Sequence, residues 1–131
     1  MAVWNDVHTY VRNNYKVADE QPGVIKMIFD VGNLRSQVVF LARQTLMNET
    51  EEWLLIESPF GELGNVDLPK VLKEVGDTVC GGLGLVAGHI LTIRHAVPLI
   101  NLDINELERP LILVTATADR LERQFVGGDE F

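Results

Sequence analysis

The feature that most constrains this chain is a change in the spacing of its apolar residues. Trp4, Val7, Val11 and Tyr15 recur every three to four positions and share one helical face, with Asp6, His8, Arg12 and Asn13-Asn14 between them. Pro22-Gly23 closes that segment. From Val24 the period drops to two. Val24-Ile25-Lys26-Met27-Ile28-Phe29-Asp30-Val31 is rich in β-branched and aromatic residues and short enough for a strand. Gly32-Asn33 is turn chemistry, because both residues tolerate a positive φ. Leu34 to Leu41 makes a second strand, with Val38, Phe40 and Ala42 on one face. Arg43 to Glu52 is polar and reads as a loop or long hairpin. Trp53 to Ser58 is a third strand, stopped by Pro59-Phe60-Gly61.

The period then changes back. Asp67-Leu68-Pro69 opens a short helix, with Asp as N-cap and Pro in the first turn, which ends at Gly76. Gly81 to Ala87 and Ile90 to Ala96 form a second hairpin turning at Gly88-His89, and Pro98 ends it. Asp103 and Glu106 start a last helix in capping-box fashion. Leu107, Leu111, Val114, Ala118, Leu121 and Phe125 follow as an apolar seam. Asp119 and Arg123 make a favourable pair one turn apart. Pro110 predicts a kink, or a short leading turn before the main helix. Gly127-Gly128 ends the helix, and residues 128–131 form a flexible tail.

The order is helix, three strands, helix, two strands, helix. Strands in runs make an α+β fold, α-β-β-β-α-β-β-α, with a twisted antiparallel sheet packed by helices. The 131 residues form one domain, 1–131, large enough to hold a core without metal or disulfide. No apolar run approaches the roughly 20 residues of a membrane span. The N-terminus lacks the pattern of a secretory signal, so the expectation is a cytoplasmic protein.

Charge narrows the function. Nineteen acidic and eleven basic residues give a net charge of −8. Lys and Arg are scattered singly, so there is no basic stripe to displace counterions from nucleic acid or to seek an anionic membrane. An acidic surface keeps a small domain soluble and attracts basic or partly unfolded partners.

Reactive groups are isolated. Cys80 is the sole cysteine and has no His or basic residue within five positions, so it reads as inert. Asn48-Glu49-Thr50 matches a glycosylation sequon without consequence in a cytoplasmic protein. Gly82-x-Gly84 with Gly88 lies inside a hairpin and lacks the features of a phosphate loop. His89 and His95 are six apart, about 20 Å along a strand, too far to share a metal, and His8 lies on a polar helix face. Asp103, Glu106 and Glu108 are helix-start chemistry. Glu51 and Glu52 point to opposite faces if a strand begins there. Neither catalytic residues nor a cofactor or metal site is expected.

Aromatic residues carry the better signal. Trp4, Tyr10, Tyr15, Phe60 and Phe131 exceed what the core faces need, and large exposed aromatics mark interfaces. Trp4, Tyr10 and Phe60 are the candidate partner-binding residues.

The whole pattern resembles the type III secretion chaperone-like fold, and in particular the YbjN-like proteins. The resemblance is carried by Trp53-Leu54-Leu55-Ile56-Glu57-Ser58-Pro59-Phe60-Gly61 as a strand entering a Ser-Pro-x-Gly turn, and by Val66-Asp67-Leu68-Pro69 before the short helix. Pro98 to Leu107 looks like the link into the last helix, and Ala116 to Glu122 like a segment of it. Pro110 departs from the helix-friendly residue expected there. The resemblance implies a homodimer. It also implies either the holding of a partner polypeptide or a regulatory role, and it supplies no catalytic residue. The expectation is a non-enzymatic protein-binding domain. The alternative is a small-molecule sensor or weak enzyme with a pocket between sheet and helices, Cys80 or His95 at its edge.

Overall fold

Trp4–Asn14 forms the first helix, α1, and buries Val7 and Val11. The computed structural model of the chain describes residues 3–32, 34–48 and 50–126. Four strands follow: β1 (Val17–Gln21), β2 (Val24–Gly32), β3 (Arg35–Leu46) and β4 (Glu51–Glu62). Then come a short 3-10 turn at Leu63–Asn65, helix α2 (Leu68–Gly76), strands β5 (Gly82–Val86) and β6 (Ile90–Pro98), and helix α3 (Ile104–Leu121). The fold is α+β. Six strands pair in the order β1-β2-β3-β4-β6-β5, every neighbour antiparallel.

One strand is additional to the sequence reading. Helix α1 ends at Asn14, and Val17–Gln21 pairs with β2. This strand is almost wholly exposed and carries Asp19 and Glu20, so hydrophobic patterning cannot reveal it. Charge on an edge strand discourages further pairing. Arg12 Nη2 of α1 lies 2.7 Å from Glu20 Oε2, which ties the helix to this edge.

The span expected as loop, Arg43 to Glu52, is largely strand. β3 runs to Leu46, the chain reverses through Met47 and Asn48 at positive φ (53° and 56°), and β4 begins at Glu51. Pro59 does not stop β4 either. It pairs with Thr92 of β6, and a bulge between Pro59 and Gly61 resets the register. Proline has no N–H to give a ladder. On the β3 side, backbone pairing reaches Phe40↔Glu57. Beyond it side chains take over: Gln37 Nε2 donates to the Pro59 carbonyl (2.6 Å) and to Ser58 Oγ (2.9 Å), and Ser58 Oγ donates to the Val38 carbonyl (2.6 Å).

All three helices lie on one side of the sheet. A single apolar cluster joins Val7 and Val11 of α1 and Val71 and Val75 of α2 to the α3 seam, Leu107, Leu111, Val114, Ala118 and Leu121. The sheet contributes Ile25, Met27, Val39, Leu41, Leu54, Ile56 and Ile93 to the same cluster. The caps are those expected: Asp67 accepts from the Lys70 N–H and Asp103 from the Glu106 N–H. Helix α3 runs through Pro110 as one element, without a separate leading turn. The proline forgoes only the bond to the Glu106 carbonyl, and flanking Leu107 and Leu111 remain fully buried. The helix ends in a wider π-type turn, Glu122–Val126. The expected stop at Gly127-Gly128 and the tail lie outside the described residues. Arg35 at the start of β3 fastens this end, at 3.0 Å from Asp119 Oδ1 and 3.3 Å from Glu122 Oε1. Arg123 reaches the other Asp119 oxygen at 3.2 Å, the pair read from the sequence.

Candidate functional site: the uncovered sheet face

Side chains alternate across a sheet, so the residues between those of the core point the other way. On β2 these are Val24, Lys26 and Ile28, and on β3 Val38, Phe40 and Ala42. On β4 they are Leu55, Glu57 and Pro59, and on β6 Thr92, Arg94 and Ala96. An antiparallel sheet with one wet face is expected to be polar on that face. This one is mostly apolar, and no helix of the described residues packs over it. Val24, Val38, Phe40, Ala42, Pro59, Val86 and Ile90, with Lys26, Glu57 and Thr92, line a shallow cavity of about 510 Å³. Leu55 is 6% exposed although it stands outside the core cluster, shielded by its own neighbours on this face.

The polar groups here are ordered by register. Asp19, Lys26, Phe40, Glu57 and Arg94 pair successively across β1, β2, β3, β4 and β6, one row perpendicular to the strands. Thr92 Oγ1 donates to Glu57 Oε2 (2.7 Å). Gly84 on β5 makes room for this group. A Cβ there would stand 2.6 Å from Thr92 Oγ1, 2.8 Å from Arg94 Cδ and 3.2 Å from Glu57 Oε2. Trp53 also faces this side, where its Nε1 donates to Glu51 Oε1 (2.8 Å).

The three aromatics singled out from the sequence do not form a site. Phe60 is fully buried in the core, so its reading as an exposed contact is corrected. Phe60 has the parity of Leu54, Ile56 and Ser58, so once β4 continues past Pro59 plain alternation turns it inward into the sheet–helix layer. Tyr10 is half-buried: its hydroxyl donates to Glu108 of α3 and its ring meets Tyr15 edge-on, 6.3 Å between centroids. It fastens α1 to α3. Trp4 is half-buried, stacked on His8 (6.5 Å) at the rim of a small hollow near the β1–β2 turn. It lies on the helix-bearing side of the molecule, away from the uncovered face. Phe131 lies outside the described residues.

What the sequence reading missed was visible as a failure of alternation. Val38-Val39-Phe40-Leu41-Ala42 and Leu54-Leu55-Ile56 are apolar at every position. Continuous runs of this kind belong to strands covered on both faces. Val38, Phe40 and Ala42 do share a face, and it is the one that the helices leave open.

Reactive groups remain dispersed. Cys80 is 9% exposed, and burial pushes its thiol pKa up, away from the thiolate. His95 is opposite Ile56 on the helix side and part-exposed, while His89 is exposed in the β5–β6 turn. The Arg12 guanidinium beside Glu20 lowers that carboxyl below its usual range, at the surface where α1 meets β1. No cluster of three His, Cys, Asp or Glu among the described residues is arranged to hold a metal ion. No described helix is long and apolar enough to cross a membrane. The layer where a pocket between sheet and helices was expected is packed by fully buried side chains, Leu54, Ile56, Ile93, Leu107 and Leu111 among them. The cavity of this sheet is on its other side. Compared with models of protein families and with curated proteins, the chain matches none.

Proposed function

We propose that the chain is a non-enzymatic protein-binding domain, chaperone-like or regulatory in the manner of the YbjN-like proteins, acting as a cytoplasmic homodimer that holds a partner polypeptide. The observation that carries this reading is the one-sided sheet: an apolar face without helices that runs into an open edge. Among the described residues β5 pairs only with β6, and Leu85 and Val86 on it are exposed. Its outward N–H and C=O groups offer an extended segment a place to add as a further strand. β1, at the opposite edge, is guarded by Asp19 and Glu20. The net charge of −8 favours a basic or partly unfolded partner.

The test is capture of partners from native cells by the tagged full chain, with mass spectrometry and light scattering of the eluate. The expected result is one stoichiometric partner, retained by wild type and lost by a Leu85→Lys, Val86→Lys variant that keeps its circular dichroism. Capture that ignores those substitutions, or no partner at all, would count against the reading.

A further inference from the structure

We propose that the uncovered face is covered by a second copy of this chain, packed sheet to sheet about a two-fold axis that runs along β3 through Phe40. This rests on the homodimer reading above and deepens it by assigning the interface. The central row, Asp19–Lys26–Phe40–Glu57–Arg94, has the symmetry that such a contact needs. Its charges read minus, plus, neutral, minus, plus, so the row is antisymmetric about Phe40.

Adjacent strands are about 4.8 Å apart, so Lys26 and Glu57 stand equally far on either side of Phe40, and Asp19 and Arg94 twice as far. A two-fold axis along β3 reverses the row. Lys26 of one copy then faces Glu57 of the other, and Asp19 faces Arg94, each pair occurring twice. Phe40 meets Phe40 on the axis. In the flanking row, Gln21–Val24–Ala42–Leu55–Ala96, the three central positions superpose apolar on apolar, Val24 over Leu55 and Ala42 over Ala42, and at the ends Gln21 meets Ala96 at the rim. A polypeptide of arbitrary sequence would not answer this pattern, whereas the chain answers itself.

The charges are free to do so. Among the described residues, neither Lys26 nor Arg94 has a carboxylate of its own chain within ion-pair distance, Glu57 accepts only from a hydroxyl, and Asp19 only from the neutral Gln21 amide at 3.3 Å. Size permits it too. Five strands and about seven residues of depth make a patch of roughly 570 Å² per copy. Two such patches just exceed the roughly 1,000 Å² total of a specific interface, so a reversible dimer of moderate affinity is expected. β5 lies at the margin of the patch, where its edge stays open to a partner.

The experiment is sedimentation equilibrium of the full chain and of Lys26→Glu, Glu57→Lys and the double variant. Wild type is expected to dimerise. Each single variant sets like charges against each other at two symmetric contacts and is expected to weaken dimerisation by about 100-fold. The double variant restores the pairing and the dimer. Mixing the two single variants restores it as well, because one copy then carries only acid and the other only base at both positions. That rescue also shows that each single variant is folded. Wild-type dimers that survive both single substitutions would overturn this interface while leaving the homodimer intact. A strictly monomeric wild type would overturn both. Single variants that are monomeric and not rescued by mixing would overturn the two-fold pairing.

Discussion

The two faces of the sheet are made of the same material and do different work. On the helix side, Ile25, Met27, Val39, Leu41, Leu54, Ile56 and Ile93 are at most 1% exposed. On the other side, Val24, Ile28, Val38, Phe40, Ala42 and Pro59 stay half-exposed although they are as apolar. The first face earns its burial within the chain, by packing against α3 with α1 and α2 at its flanks. Among the described residues the second has no such cover and carries instead an ordered row of charge. Fold stability therefore resides on one face and, as we propose, recognition on the other, so strand neighbours one residue apart are expected to respond differently to substitution.

The most severe test of this contrast pairs Ile56→Ala with Phe40→Ala. Ile56 is fully buried, and its truncation should cost about 2–5 kcal/mol in urea unfolding. Phe40→Ala at concentrations where the chain is monomeric should cost about 1 kcal/mol or less. Equal losses would erase the distinction between the faces.

Arg35→Ala should come next. It removes the cation shared by Asp119 and Glu122, whose side chains are 7% and 0% exposed. Stripping one partner from a buried pair typically costs 3–5 kcal/mol, and about 3 is expected because Arg123 still holds Asp119. A loss below about 1 kcal/mol would mean that the C-terminal end of α3 is held by packing alone.

Gly84→Ala sharpens the comparison from the open side. Its Cβ would intrude on Thr92, Arg94 and Glu57, at a cost of about 1–2 kcal/mol. The larger consequence should be displacement of Glu57 and weaker self-association, read by sedimentation. If both stability and association are unchanged, the Thr92–Glu57 arrangement is not needed.

The smallest effect lies at the first helix. Arg12 lowers the Glu20 pKa, so the pair's contribution is present above the unfolded-state value and fades as pH falls through the lowered folded one. Carboxyl NMR titration should show Glu20 returning toward the ordinary range in Arg12→Ala. A Glu20 titration that ignores that substitution would remove the link between α1 and β1.

Much of the fold was legible in the chain, and particular residues show why. Strong periodicity placed α3, and Asp67 and Asp103 announced helix starts because a side-chain oxygen there satisfies an orphan N–H. β1 was not legible, since Val17–Gln21 has neither alternation nor bulk. Pro59 misled because a bulge and the side chains of Gln37 and Ser58 let the strand continue past it. Of the site, Phe60 was misplaced because Pro59 reads as the stop of its strand; with β4 running on to Glu62, alternation from Leu54, Ile56 and Ser58 puts Phe60 in the core. The row from Asp19 to Arg94 is assembled from five separate strands, so no local window contains it.

The central claim is that the helix-free face is the interacting surface. It is tested most directly by sedimentation velocity of wild type and Phe40→Asp side by side, across a wide concentration range. Wild type should move from one to two chain masses as concentration rises, and Phe40→Asp, with like charges meeting on the axis, should remain at one. If both proteins associate alike, the helix-free face is not where this chain meets its copy, and the account fails at its centre.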